Sequence, residues 1–142
     1  MKQIEQFIQE AQLEMTAKQI PGRNDIPRDT WSKGARHFVC EIKRVGFGAR
    51  DPMIVFFSQG SAHTKPPTLA DVLDCLASDV SSIDGQPFEG WADDMGYKCA
   101  ECGQYTRDAA KTYHMIEEQA HDLKALLDDA AYAELLWNVE RL

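Results

Sequence analysis

Two cysteines, Cys99 and Cys102, have the most specific spacing for chemistry in this chain, because only two residues separate them. A Cys-x2-Cys pair on a turn directs both sulfur atoms at one point and is typical of structural zinc sites. His114 follows Cys102 by twelve residues and supplies a third candidate ligand. His121 lies a further seven residues on, about 10 Å along a helix, too far to share the ion. We expect unliganded thiols and no cofactor, with structural zinc at Cys99, Cys102 and His114 as the alternative.

A second group of reactive side chains lies in the segment before Pro66-Pro67. Its candidate residues are Ser58, Ser61, His63 and Lys65. A serine and a histidine beside Asp71 or Asp74 would supply the ingredients of a nucleophilic triad. The segment lacks a Gly-x-Ser-x-Gly elbow, and its single glycine does not make a phosphate cradle. We expect a connecting loop, and the alternative is a hydrolase or a small-ligand-binding protein that uses the Ser58–His63 segment.

Carboxylates are concentrated in the C-terminal part of the chain. Residues 1–50 carry nine Lys and Arg against six Asp and Glu, whereas residues 51–142 carry six against seventeen. A field of that sign repels phosphates and argues against nucleic-acid binding, but it attracts a basic protein surface. The carboxylates that we expect to bind such a partner are Asp71, Asp74, Asp93 and Asp94.

A basic patch is the alternative that would admit nucleic acid. Its members are Arg36, Lys43, Arg44 and Arg50. Phosphate binding requires that these side chains cluster on one exposed face. The overall net charge of −8 does not favour this hypothesis.

The composition is that of one globular domain. The chain has 142 residues, of which 44% are hydrophobic and 27% are charged. Its longest apolar run, Met53–Phe57, is far too short for a membrane span, and charged residues interrupt the segment after Met1. We therefore expect a soluble cytoplasmic protein with no membrane partner and with reduced cysteines.

Periodicity predicts one helix and three strands in the N-terminal part. Residues 13–18 alternate as in a strand, although extending the preceding helical period to Met15 would give one longer helix. Residues 21–30 are turn formers throughout and predict a loop. Further strands are predicted over 35–45 and 53–58, and the second, apolar on both sides, is expected to be central and covered on both faces. The helical face before the first strand consists of Ile4, Phe7, Ile8 and Ala11.

The C-terminal part is predicted to be helical. One helix begins after Thr68, with Asp71 completing a near capping box, and ends at Gly85. A short helix begins at Pro87, and a longer helix covers residues 104–127. The inward residues predicted for the short helix are Phe88, Trp91, Ala92 and Met95.

The fold class that these elements predict is α+β. Asp128 or Asp129 is expected to cap a final helix that continues to the C-terminus. Residues 1–142 form a single domain, in which 1–60 provide a helix and a small antiparallel sheet of two to three strands. Residues 68–142 provide the helical part.

The string Val55–Asp79, which includes Asp-Val-Leu-Asp-Cys-Leu-Ala-Ser-Asp, carries a resemblance to known sequences. With Phe88-Glu89-Gly90-Trp91 and Gly96-Tyr97, it resembles a family of small open reading frames of phages and other mobile elements. The resemblance covers roughly residues 4–127, and the family has no established function. The chain departs from the family pattern at residues 98–103, so the Cys-x2-Cys pair is not a shared feature.

The resemblance implies a mobile-element context, in which small acidic proteins bind and block host defence machinery. We therefore expect a non-enzymatic phage protein that inhibits a host factor, as anti-CRISPR and other anti-defence proteins do. Its acidic surface would face a basic groove of a host protein, one that normally holds nucleic acid. This inhibitor would act in the host cytoplasm.

Self-association is predicted from the strand at residues 53–58. A single helical layer covers one face of a small sheet and leaves Ile54 and Phe56 exposed beside Val39 and Val45. The N-terminal helix is too short to cover that face. The apolar side chains Leu136, Trp137 and Val139 add surface that needs a partner. We therefore expect a homodimer.

Overall fold

The computed structural model of the chain describes residues 1–20, 35–48, 50–60, 62–98, 101–105 and 108–140. The loop predicted over residues 21–30 lies outside this part of the chain. The elements in chain order are β1 (Lys2–Gln3), α1 (Ile4–Ala11), β2 (Leu13–Ile20), β3 (Arg36–Arg44), β4 (Met53–Gln59), α2 (Leu69–Ile83), α3 (Phe88–Asp94), α4 (Ala109–Trp137) and β5 (Val139–Glu140).

The main sheet is antiparallel and confirms the predicted α+β class. Its strands lie in the order β2-β3-β4. In the ladders, Leu13 pairs with Arg44, and Phe38 pairs with Phe57. Side chains alternate between the two faces of a strand, so Phe38, Cys40 and Ile42 of β3 share one buried face, as their spacing predicted.

Helices cover one face of this sheet. Phe7 of α1, Leu73 of α2 and Leu123 of α4 belong to the same buried cluster as Phe38 and Ile42. The chain thus forms two layers, a sheet and a helical layer, around one hydrophobic core.

The expectation that residues 53–58 form a central strand covered on both faces is wrong. In the described part of the chain, β4 lies at the edge of the sheet. Met53 and Val55 point to the helices and are buried, but Ile54 is 48% exposed and Phe56 is 69% exposed. Apolar side chains on both faces of the strand predicted that both faces would be buried, whereas the helices pack on one face only.

The helices begin and end close to their predicted positions. Thr68 caps α2, since its Oγ1 accepts a hydrogen bond from the Asp71 amide at 3.2 Å, and an Asp71 carboxylate oxygen accepts one from the Thr68 amide at 3.0 Å. This capping box confirms the predicted start. In α3, Trp91 and Ala92 are buried as predicted, but Met95 is 52% exposed because the helix ends before it.

Helix α4 is interrupted at Asp128, close to the predicted boundary. The backbone of Asp128 has φ 69° and ψ 168°, and its side chain accepts a hydrogen bond from the Ala131 amide at 3.0 Å. Asp128 therefore caps the last turns of the helix. The helix ends at Trp137 rather than continuing to the C-terminus, because residues Val139–Glu140 form strand β5.

The first and last described strands pair with each other. Lys2 pairs with Val139 and Gln3 with Glu140 in a parallel two-stranded ladder. The ammonium group of Lys2 forms ion pairs with Glu10 and Glu134. The strand ladder and the ion pairs together hold the beginning of α1 against the end of α4. No local pattern in the sequence indicates this contact.

Candidate functional site

The helical layer is the strongly acidic part of the molecule. Residues 68–142, which supply α2, α3 and α4, carry sixteen Asp and Glu against five Lys and Arg. Counted by element, α1 to α4 carry fourteen Asp and Glu against two Lys, whereas β2 to β4 of the main sheet carry two Glu against four Lys and Arg. Because the helices lie on one face of the sheet, the two layers differ in charge. The negative field therefore extends from the helical side of the molecule.

An open cleft of about 510 Å³ lies in this acidic layer, between the end of α2 and the middle of α4. We call it the acidic cleft, and its functional side chains are Asp84, Gln86, Tyr113, Glu117 and Tyr132. Helix α4 supplies three of them at positions 113, 117 and 132. A spacing of four residues places Tyr113 and Glu117 on one helix face.

The chain turn after α2 fixes one wall of the acidic cleft. Gly85 has φ +70°, a conformation that favours glycine, and it directs the chain from α2 towards α3. Gln86 closes the turn through its amide, which donates to the Ile83 carbonyl at 3.0 Å. The hydroxyl of Tyr113 donates to the Gln86 carbonyl at 2.9 Å and joins α4 to this wall.

Two carboxylates on the rim of the acidic cleft form no ion pair with any residue in the described part of the chain. Asp84 and Glu117 are exposed, and the described residues contribute no ion pair to either. Tyr132 is half-buried, and its pKa is raised by burial and by the negative charge of Asp84. The hydroxyl of Tyr132 therefore stays protonated and can donate a hydrogen bond at neutral pH. Lys124 lies with its Nζ 5.8 Å from the Tyr132 ring centroid, on a ring face that attracts cations.

This arrangement fits an ammonium or guanidinium group. Two carboxylates accept charge-assisted hydrogen bonds, and two tyrosine rings provide the apolar walls along which a lysine or arginine stem packs. A basic side chain from another protein is the ligand class with this combination of charge and shape.

The sequence did not identify this cleft. Periodicity places Tyr113 only within a long helix, and no motif in the sequence marks Asp84. The available signal was the i, i+4 pair of Tyr113 and Glu117. Its relation to Asp84 and Tyr132 arises only when α2 packs against α4.

The four predicted partner-binding carboxylates lie in two places. Asp71 is part of the capping box, and Asp74 is half-buried one turn further along α2, with an Oδ1 atom that is buried and unpartnered among the described residues. Asp93 and Asp94 are exposed at the end of α3. The indole nitrogen of Trp91 donates to Ser82 Oγ at 3.1 Å, which fixes α3 at the opposite end of α2 from Asp71.

Asp71 and Asp74, together with Asp79 of the same helix, act on a cysteine of α2. The pKa of the Cys75 thiol is raised by burial and by the charges of Asp79, Asp74 and Asp71. The thiol is therefore held in its protonated form, which is a poor nucleophile and a poor metal ligand.

The candidate residues of the Ser58–His63 segment are not brought together, because Ser58 lies on strand β4 of the main sheet. Ser58 Oγ lies 2.7 Å from Nδ1 of His37, its cross-strand neighbour, rather than beside His63. His63 and Lys65 are exposed, and Ser61 lies outside the described residues. Arg36 donates to the His63 carbonyl at 2.8 Å and holds the loop in place. Sequence reasoning missed the pairing of Ser58 with His37 because it depends on strand register.

The predicted zinc ligands are only partly described. Cys102 and His114 are exposed, and Cys99 lies outside the described residues. His114 Nε2 lies 3.1 Å from Glu118 Oε1, one turn further along α4. Within the ranges that the structure describes, no three His, Cys, Asp or Glu side chains converge on a point that could hold a metal ion.

The alternative basic patch does not form, so this hypothesis is wrong. Arg44 is buried, where its Nη1 donates to Asp128 Oδ2 at 2.8 Å. Arg50 donates to the Ala125 carbonyl of α4 at 3.0 Å, and Arg36 is engaged with the loop. Lys43 is exposed and lies 3.1 Å from Glu41. Only Arg44 is inside the fold, whereas Arg36 and Arg50 bind backbone carbonyls nearer the surface, so the four residues do not share one exposed face.

The chain matches no family model, and comparisons with curated proteins and with solved structures find no similar chain. No helix in the described ranges has both the length and the apolar composition required to cross a membrane. The geometry of the acidic cleft is therefore the basis for a functional argument.

Proposed function

We propose that this protein is a non-enzymatic binding protein whose acidic helical layer occupies a basic surface of another protein. The observation that carries the proposal is the acidic cleft, where Asp84 and Glu117 form no ion pair with a described residue and lie beside the rings of Tyr113 and Tyr132. The cleft accepts a lysine or arginine side chain of the partner. The surrounding carboxylates, including Asp93 and Asp94, accelerate the encounter through the field that they create.

The energetics of this cleft favour arginine. A guanidinium group donates to carboxylates through a planar fork and stacks on aromatic rings, whereas an ammonium group acts as a point charge. Ion pairs between exposed groups contribute about 0.2–1 kcal/mol each. Asp84 and Glu117 together therefore change the affinity by up to about tenfold, since about 1.4 kcal/mol corresponds to tenfold.

The biological role that we propose is inhibition of a host factor by a phage or mobile-element protein. The resemblance of residues 55–79 to small mobile-element reading frames supports this context. A host defence component with a basic groove for nucleic acid would be blocked, because carboxylates take the positions of phosphates. The inhibitor would act in the host cytoplasm and would need no cofactor.

Titration calorimetry with a hexa-arginine peptide tests this proposal. We expect saturable binding that weakens as salt rises, because screening shortens the reach of exposed charges. The double variant Asp84→Asn/Glu117→Gln should weaken binding several-fold, up to about tenfold.

A matched variant controls for net charge in this titration. Glu118→Gln/Asp122→Asn removes the same number of negative charges from exposed positions of α4 that do not line the cleft. This control should keep most of the affinity. Equal weakening in the two double variants would show that only the overall charge matters and would contradict the assignment of the cleft.

A further inference from the structure

The face of the main sheet that the helices leave uncovered carries four apolar residues among polar ones. We call it the open face, and its apolar members are Ile20, Val39, Ile54 and Phe56. Phe56 is 69% exposed and Ile54 is 48% exposed. Val39 pairs with Phe56 across β3 and β4, and Ile54 lies two residues from Phe56 on the same face, so these three apolar residues are contiguous. A contiguous apolar patch on a sheet is typical of an interaction surface.

Helix α1 does not provide the cover for this face. Ile4, Phe7 and Ala11 are buried in the core on the helical side of the sheet. Leu136 and Val139 are also buried, which corrects the expectation that they add exposed surface, whereas Trp137 is 52% exposed. Trp137 lies at the end of α4 and not on the sheet, so it is not part of the open face.

The charges of the open face identify the kind of occupant. Two glutamates and two lysines flank the apolar residues, namely Glu14, Lys18, Glu41 and Lys43. A strongly basic or strongly acidic partner finds no net complement on such a surface. A second copy does, because a two-fold axis can place each lysine opposite a glutamate of the other chain.

The distribution of charge over the whole molecule supports the same occupant. The helical layers carry the excess of carboxylates and repel each other. Packing through the open faces places these layers on the two outer sides of a dimer, as far apart as the fold allows.

We propose that two copies of this chain pack their open faces together about a two-fold axis. Phe56 of each copy lies against the apolar residues of the other, with the two sheets about 10 Å apart. The inference is independent of the proposed function, since the acidic cleft lies on the opposite layer. The dimer presents two acidic clefts outward and can bind a partner with two basic sites more tightly than one copy does.

The size of the face predicts a dimer of moderate affinity. Three strands about 4.8 Å apart and about eight residues long cover about 14 Å by 26 Å. This footprint is smaller than the about 800 Å² per partner of a standard interface. The dissociation constant of the dimer should therefore lie in the micromolar range.

Sedimentation velocity of the full chain between about 1 µM and 1 mM tests the dimer. The wild type should change from monomer to dimer over this range. Ile54→Glu should remain monomeric, because it raises the number of glutamates from two to three per face, so that six carboxylates would meet in the symmetric contact where the wild type has four.

A matched substitution on α4 provides the control. Met115 is 48% exposed, the same fraction as Ile54, but it lies in the helical layer. Met115→Glu should dimerise like the wild type. A wild type that stays monomeric to the highest concentration, or an Ile54→Glu variant that dimerises as the wild type does, would overturn the proposal. The wild-type result decides the matter even if a variant does not fold.

Discussion

Asp128 combines a strained backbone with two structural interactions. Its φ and ψ of 69° and 168° lie in a region that is essentially restricted to glycine and costs about 1–3 kcal/mol. The side chain compensates by accepting from the Ala131 amide and from Arg44. A single residue thus ends one helical segment, caps the next and balances a buried arginine.

Substitutions at Asp128 should separate these effects. Asp128→Ala loses the cap and keeps the strain, so it should lower the free energy of unfolding by about 1–2 kcal/mol. Asp128→Gly relieves the strain and should cost less, and Asp128→Asn should cost least because an amide oxygen still caps the helix. Urea denaturation measures the order, with Asp129→Ala as the exposed neighbouring control. A larger loss for glycine than for alanine would contradict this account of the backbone.

The stabilising contribution of Asp128 should depend on pH. Its pKa is lowered by the Ala131 backbone amide and by Arg44. A carboxyl with a depressed folded-state pKa stabilises the fold above its unfolded pKa of about 3.9 and loses that contribution as pH falls through the folded value. The stability difference between the wild type and Asp128→Asn should therefore be constant near neutral pH and should shrink below about pH 4.

At the scale of elements, Arg44 joins three of them. It lies at the end of β3, and its Nε donates to the Ala11 carbonyl at the end of α1 at 3.1 Å. Its Nη1 donates to the Leu127 carbonyl of α4 at 2.5 Å. The ring of Phe47 packs 3.8 Å from the guanidinium carbon. One buried cation therefore satisfies carbonyl groups at the ends of two helices.

Arg44→Met should lower the free energy of unfolding by about 2 kcal/mol or more, because buried carbonyls lose their donors. Lys43→Met, the adjacent exposed position, should change stability by less than about 0.5 kcal/mol. Denaturation curves of the two variants give the comparison. Similar values for both would mean that Arg44 does not join the elements as described.

Patterns among neighbouring residues predicted these elements well, whereas contacts between distant parts of the chain were missed. The capping box of Thr68 and Asp71, the alternation of β3 and the helix break at Asp128 depend on neighbouring residues and were predicted. The pairing of β1 with β5 connects residues 2–3 with 139–140, and no local pattern encodes it. The same reason explains the edge position of β4 and the buried role of Arg44.

At the scale of the whole molecule, charge and apolar surface are segregated. The helical layer carries the excess of Asp and Glu and the acidic cleft, whereas the open face carries Ile54 and Phe56 with balanced charges. The sequence predicted an acidic partner-binding surface and a self-associating sheet. The cleft formed by Asp84, Tyr113, Glu117 and Tyr132 could not be predicted, since it requires the packing of α2 against α4.

Chemical-shift mapping during titration with a hexa-arginine peptide tests the central claim most directly, because it locates the bound cation. We expect saturating changes in the chemical shifts of Asp84, Tyr113, Glu117 and Tyr132, with smaller changes elsewhere on the helical layer. Asp84→Asn/Glu117→Gln should remove them. Shifts spread evenly over all exposed carboxylates, or shifts confined to the open face, would contradict the assignment of the acidic cleft as the binding site.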